Sequence, residues 1–483
     1  MGRTETRTRV AVGASLIFAA CLGVAVAIPQ ARNAAVAAAV CVIVATVFVE
    51  APEMTLLGFV VVRPVVDAFV YTSVGGLSLG EVWGIGLVAV TLAYLVAQEQ
   101  VRMPLAPIAL ILAYASLTFV RPVLSDALGN WLKLASWLLL TVAISRIAAK
   151  RRGQQAILNA MLACAVVYVV VIVVVMAQGR YGAAYYGFSE TGGGYSTPHA
   201  LSTLAVLLLP FVLAQIIAGR RVALSLLLSG LLCLSIVYSF VRSAYLAVVA
   251  VLGAYALAAV RTSSLRVRLS VLAIFAAGAI AVVILRDAVV SRLVDLPFLG
   301  SLLGETSATP VLGGGSGRVA LWRGLWAFGT DSVGHIFLGR GAGASYGLAS
   351  QTVGQSIWSH NDFLEFFITG GLVLLACYIA VLVWVLLSFV RLYRDSRQSP
   401  TVHAYSIVGI GVFLAYVFLS AANGIAMMTG SVILGVLAGL VQGMSGTPED
   451  TALEGPSVGP PKVTAEAPRS TATPRASPPA PNA

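Results

Sequence analysis

Charge is what this chain has least of. Only 10% of its 483 residues are Asp, Glu, Lys or Arg, while 59% are hydrophobic. A soluble domain carries about 25% charge, so the polar groups needed to coat a water-soluble globule of this size are missing. That excludes a soluble enzyme, and the mean hydropathy of +0.94 excludes a disordered chain. Lysine is nearly absent, with Lys133, Lys150 and Lys462 the only three. The five cysteines, Cys21, Cys41, Cys164, Cys233 and Cys377, each lie inside an apolar run. No disulfide and no metal site is expected from them. The chain has no Asp-x-Asp pair, which counts against metal-dependent transfer chemistry.

What the chain has instead is long apolar runs. They fall near 10–28, 34–49, 54–71, 79–96, 105–120, 128–148, 155–177, 199–217, 222–239, 244–260, 269–285, 363–390, 403–420 and 427–443. Each approaches the length that a hydrocarbon core of ~30 Å requires. The runs are continuous rather than alternating, which excludes a transmembrane β-barrel. The pattern predicts an all-α polytopic integral membrane protein with about 14 transmembrane helices, eleven of them within 1–285 and three within 363–443. One long loop, 286–362, separates the two sets and carries short amphipathic helices. The tail, 444–483, holds nine of the twenty prolines with Ser, Thr and Ala, and reads as disordered.

The net charge of +11 would suggest nucleic acid in a soluble protein, but here the surplus lies between apolar runs and reports topology. Arg3, Arg7 and Arg9 precede the first run. Ala25-Val26-Ala27 resembles a signal-peptidase site, but the spans that follow at once favour a retained anchor. With the N-terminus inside, the inner loops hold Arg102, Lys150-Arg151-Arg152, Arg220-Arg221, Arg261 with Arg266 and Arg268, and Arg391 with Arg394 and Arg397. Both termini are then cytoplasmic, in a cell's inner (cytoplasmic) membrane, and the lipid bilayer is the partner the composition demands. No nucleic-acid partner is expected. The long loop and the Gly- and Tyr-rich 179–198 loop face outward.

Seven arginines depart from that rule by lying outside: Arg180, Arg242, Arg286, Arg292, Arg318, Arg323 and Arg340. Long translocated loops escape the rule, but Arg242 sits in a four-residue turn between two apolar spans. A charge at that depth is costly unless it is paired or functional. Arg318 opens an amphipathic stretch in which Trp322, Leu325, Trp326 and Gly329 share a helical face. The tryptophans suit an interfacial anchor, which leaves the arginine after the glycine-rich 313–317 segment unexplained. Gly339-Arg340-Gly341-Ala342-Gly343 reads as a tight turn, since no strand–helix unit surrounds it to make a nucleotide loop.

Histidine is scarce too: His199, His335, His360 and His403 are all there are. His403 begins an inner span and reads as structural, and His335 has no assigned role. His199 follows Pro198 where an outer loop meets a span. His360 stands at the end of the long loop with Asn361, Asp362 and Glu365 within one and a half turns. Such neighbours can fix a tautomer and raise basicity. Arginine binds phosphate through forked, charge-assisted hydrogen bonds. It can stabilise a diphosphate leaving group in place of a metal.

These residues fall into a pattern. Ser359-His360-Asn361-Asp362-Phe363-Leu364-Glu365, followed by Gly370-Gly371, resembles the His-Asn-x-aromatic-Leu signature of the O-antigen ligase and polymerase family. Arg318 through Trp322 resembles that family's Arg-x-x-x-Trp segment, and the Gly339 to Gly343 turn its Gly-x-Gly-x-Gly. Val241-Arg242-Ser243-Ala244-Tyr245-Leu246 resembles its Ser-Arg-Ser/Gly-aromatic-Leu segment, and Tyr195 to His199 its short outer loop. The matches run in the family's order over roughly 180–390. Two positions depart from it: Leu374 replaces a second glycine after Gly371, and Val241 replaces the commoner serine. The resemblance implies a GT-C-like membrane glycosyltransferase of cell-envelope or exopolysaccharide biogenesis. It would transfer a glycan from a polyprenyl (undecaprenyl-type) diphosphate to an acceptor hydroxyl on a glycan or lipid, with no metal and no cofactor. It implies that Arg242 and Arg318 bind the diphosphate and that His360 is catalytic. Arg323, Arg340, Arg180, Asn361 and His199 would line the substrate site.

The other class is a transporter of a small anion or polysaccharide precursor. Arg63 and Asp67 sit at i, i+4 inside a span, where a structural pair and an ion path are equally good readings. The remaining notable charges gather at one face rather than at a midplane, which favours an interfacial enzyme.

Overall fold

The computed structural model describes residues 44, 46–69, 73–74, 77–97, 104–120, 124–177, 184–185, 188–189, 198–239, 241–261, 265–284, 318–346, 348, 359–395, 400–425 and 430–445. The apolar run at 10–28, most of that at 34–49, and the tail beyond 445 lie outside them. The described chain is helical apart from two antiparallel ladders of two residues per strand, at 73–78 and 184–189.

In chain order the helices are α1 (Pro52–Val61), α2 (Arg63–Ala68), α3 (Leu79–Val96), α4 (Leu105–Val120), α5 (Leu124–Ala148), α6 (Arg151–Ala177), α7 (Pro198–Ile217), α8 (Val222–Tyr238), α9 (Arg242–Arg261) and α10 (Leu265–Ile284). Then come α11 (Arg318–Gly329) and α12 (Val333–Leu338) in the long loop, and α13 (Asp362–Asp395), α14 (Pro400–Asn423) and α15 (Gly430–Ser445). Among the described residues, seven helices are long and apolar enough to cross a membrane, and three shorter ones are also apolar. This is consistent with a polytopic membrane protein.

Local chemistry sets several ends. α3 begins on a full capping box: Ser78 Oγ accepts from the Glu81 N–H, and Glu81 Oε2 accepts from the Ser78 N–H at 2.7 Å. The apolar run at 54–71 is two helices rather than one, broken at Val62 just before Arg63-Pro64. Proline cannot donate to the preceding turn and turns the chain there.

α7 is apolar on every face, and all of its residues from Leu201 to Ile217 are buried. A helix without a polar face belongs inside the bundle, and α7 touches α6, α8, α9, α14 and α15. Closest approach is set by glycine. Gly435, Gly439 and Gly443 recur every fourth residue on α15 and face α5. A Cβ on Gly439 would lie 2.5 Å from the Thr141 carbonyl oxygen, and one on Gly443 2.4 Å from Ala148 Cβ. Lipid offers apolar groups no more hostile a medium than the protein does, so such backbone contact drives packing in a membrane.

The bundle has two chemically distinct ends. Tyr405, at the start of α14, donates to the Ala214 carbonyl near the end of α7, and Gly443 of α15 meets Ala148 of α5. That end carries Lys150, Arg151, Arg152, Arg220, Arg221, Arg391 and Arg394. The N-termini of α7, α9 and α13 and the C-terminus of α14 meet at the other end.

Candidate functional site

The second end is tied together by hydrogen bonds from four chain segments. His360 precedes α13 in the left-handed region, at φ 53. A non-glycine residue there is uncommon and is held only where its surroundings fix it. Its neighbours supply that constraint. Ser359 Oγ accepts from the Asn361 N–H at 3.3 Å and donates to the Asn361 carbonyl at 3.0 Å. Asn361 Oδ1 accepts from the Leu364 N–H at 3.1 Å, capping α13. The Trp322 indole donates to the Ser359 carbonyl at 2.8 Å, binding the second turn of α11 to the residue before the histidine.

Asp362 and Glu365 face inward. Asp362 Oδ2 accepts from Ser420 Oγ and from the Ile425 N–H, both at 2.7 Å, and the Tyr378 hydroxyl lies 2.7 Å from Ser420 Oγ. This locks the start of α13 to the end of α14. Two residues earlier than Ile425, Asn423 Nδ2 donates to Ser243 Oγ at 2.6 Å. Ser243 follows Arg242, so the first turn of α9 joins the same network. Glu365 Oε1 accepts from Ser345 Oγ at 3.0 Å and from Thr369 Oγ1 at 3.4 Å. His199, in the first turn of α7, completes the ring, its imidazole centroid 6.0 Å from that of His360.

The first turns of α7, α9 and α13 therefore come together beside the two histidines, and Trp322 ties α11 to them. The positive ends of the helix dipoles gathered there favour an anion.

The residues singled out in the sequence divide as follows. His199, His360 and Asn361 stand together. The backbones of Arg242 and Arg318 open α9 and α11, which the Ser243–Asn423 and Trp322–Ser359 bonds tie to that site. Their side chains lie outside the described set, as does Arg180. Arg323 is exposed on α11. Arg340 is engaged within the loop: its Nε donates to the Phe328 carbonyl at 2.7 Å, it pairs with Asp331, and its guanidinium lies 3.7 Å from the centroid of the Phe328 ring.

The glycine turn around Arg340 docks on a break in α13. Gly370 and Gly371 have non-helical torsions, with Gly371 at φ 62. The freed carbonyls of Ile368 and Thr369 accept from the Arg340 and Gly341 N–H groups at 2.7 and 3.0 Å. A Cβ on Gly339 would meet Gly370 N at 2.4 Å. The two glycine motifs noticed separately in the sequence are thus one joint.

Sequence reasoning missed Ser243, Asn423, Ser420 and Ser345. Asn423-Gly424, closing an apolar run with Gly424 at φ 66, was the available signal. Arg63 and Asp67 pair at 2.8 Å, with the guanidinium 4.1 Å from the centroid of the Trp83 ring. No protein-family model and no curated protein matches the chain.

Proposed function

We propose that this protein transfers a glycan from a polyprenyl diphosphate carrier to an acceptor hydroxyl at the outer face of the cytoplasmic membrane. The observation that carries the reading is the convergence of His360 and His199 with the helix starts that bear Arg242 and Arg318. In this reading the bundle has a GT-C-like arrangement of about 14 spans. The basic end faces the cytoplasm, as the positive-inside rule requires, and the histidines face out.

His360 accepts the proton of the acceptor hydroxyl. The acceptor oxygen attacks the anomeric carbon, and the bond from that carbon to the diphosphate oxygen breaks. The diphosphate leaves with the electron pair. Its charge is met by Arg242 and Arg318 and by the positive ends of the helix dipoles. The polymerase and ligase forms differ only in whether the acceptor is another repeat unit or a final glycan or lipid.

The transporter reading draws support from the Arg63–Asp67 pair, which is buried within the bundle beside a helix break. Trp83 covers that pair, which suits a closed structural contact better than an ion path.

The test is a transfer assay on purified protein in chelator, with a polyprenyl-diphosphate oligosaccharide and with His360→Ala alongside. A ladder of multiples that the variant does not make supports polymerase. A single shifted product that needs added acceptor supports ligase. No product with an authentic host substrate overturns the reading, and flux into proteoliposomes then tests the transporter.

A further inference from the structure

Within the long loop, 318–346 runs along the first part of α13, up to its break, and back; that part is folded against the second, with Phe366 stacked on Tyr378 at 4.2 Å between centroids. Trp322 of α11 bonds at the level of Ser359, before α13 begins. One helix length later, a Cβ on Gly329 would touch Phe367 and Ile368. Trp326 stacks on Phe367, with centroids 5.1 Å apart. α12 then lies against the break, where a Cβ on Gly371 would sit 2.3 Å from the Phe337 carbonyl carbon. The chain returns through the 339–341 joint to Ser345, which bonds Glu365, back along the first part of α13.

The depth of that turn follows from α13. Its outward apolar stripe begins immediately after the break, at Leu372 and Val373, and continues through Ile379, Val383 and Leu387. From 372 to 390, where Arg391 ends the run, the helix is about 28 Å long at roughly 1.5 Å per residue. That is close to the whole hydrocarbon core of ~30 Å. The break at Gly370-Gly371 therefore marks the edge of the hydrocarbon, and α12 lies at that edge. α12 has no buried residue. Its Val333 is 71% exposed, Phe337 53% and Leu338 56%, and Trp326 beside it is 58% exposed. Four large apolar side chains facing outward beside a lipid-facing stripe have one natural neighbour. The charges nearby are matched to an interface: Asp331 pairs with Arg340, and its other oxygen lies 2.6 Å from His335 Nδ1.

We infer that α12 and the end of α11 form a foot that rests in the bilayer interface, with Val333, Phe337, Leu338 and Trp326 inserted among lipid chains at the rim of α13. The occupant of this face is bilayer lipid, as expected of an amphipathic segment with aromatic and aliphatic side chains on one side. The foot sets the height of the loop segment that carries Arg318. It does not depend on what the site catalyses.

The test uses the full chain in liposomes. Nitroxide labels are placed singly at 337 and 338, with Ser332 as the aqueous reference and Val383 as the lipid reference, after the native cysteines are replaced. Collision rates with oxygen and with a water-soluble nickel chelate are compared. The labels at 337 and 338 should show an oxygen-to-nickel ratio several-fold above that at 332 and below that at 383. Nickel access at 337 equal to that at 332 overturns the inference. Shielding from both reagents also overturns it, because it means a protein surface, such as a second copy, covers the face. Because cysteine replacement can disturb the fold, the unlabelled wild-type protein is also photocrosslinked with a lipid bearing a diazirine near the headgroup end of its acyl chain. Adducts should map to 326–338. A peptide map with adducts on α13 but none in 326–338 overturns the inference independently.

Discussion

At the scale of single residues, the candidate site depends on polar groups that bond to one another. Asn423 is fully buried, and its amide meets Ser243 Oγ at 2.6 Å. Removing either partner leaves the other buried without its bond, which costs about 1–3 kcal/mol. Asn423→Ala and Ser243→Ala should each destabilise the protein by that order. The double variant should lose less than the sum, by roughly 0.5–3 kcal/mol of coupling, if the bond forms as described. Chemical unfolding in mild detergent measures this, and strict additivity would show that the two residues do not communicate. Glu365 gives a second case. Gln keeps an oxygen that can accept from Ser345 and Thr369, whereas Ala keeps none. Glu365→Gln should retain near-native stability, and Glu365→Ala should lose about 1–3 kcal/mol. A Gln variant as unstable as Ala would mean that the negative charge, rather than the hydrogen bonds, holds the loop. Arg340, by contrast, is committed to Phe328 and Asp331. Its substitution should weaken the joint at Gly339 before it affects any substrate.

At the scale of elements, the bundle is shaped by two interruptions of otherwise regular helices. The break in α13 needs glycine twice over. Gly371 holds φ 62, and its α-carbon lies where a side chain would strike Phe337. Gly371→Ala should therefore lose at least the roughly 1–3 kcal/mol of a strained torsion and undock α12. Hydrogen exchange should rise across 333–346 while the deep part of α13 stays protected. Unchanged exchange there would remove the joint from the account. These elements also show what the sequence could yield. The run at 79–96 is α3 residue for residue, because a capping box and an apolar run mark its limits locally. The run at 54–71 divides at Val62 because of Pro64, a local signal that the length and hydropathy of the run masked. The Gly370-Gly371 and Gly339-to-Gly343 motifs were each visible. Their contact was not, because it closes a loop of some thirty residues through backbone geometry alone. Ser420 and Asn423 escaped notice for a similar reason: short polar residues inside an apolar run acquire meaning only from the helix they face.

At the scale of the whole molecule, the bundle is pinned where α15 lies along α5, and this bears on where the folded unit ends. α15 continues through Ser445, and Met444 is buried against the bundle. Gly443 fits so closely over Ser145 and Ala148 that no side chain could replace its hydrogen. The described residues end at Ser445. Two truncations only twelve residues apart should therefore behave differently. A chain ending at Leu453 keeps every described contact, so its melting temperature should match that of the full chain, as should the transfer activity proposed above. A chain ending at Val441 loses Gly443, the buried Met444 and the Ser445 bond to the Val441 carbonyl. Loss of a buried Met side chain alone costs about 2–5 kcal/mol, so this chain should melt several degrees lower. The damage should reach the site end as well. α15 also packs on α7 and α14, and Ser431 Oγ, at its other end, donates to the carbonyl of Ile425, whose N–H holds Asp362 beside His360. If the two truncations prove equally stable, the last turn of α15 carries no load, and the glycine face along α5 must be sufficient without it.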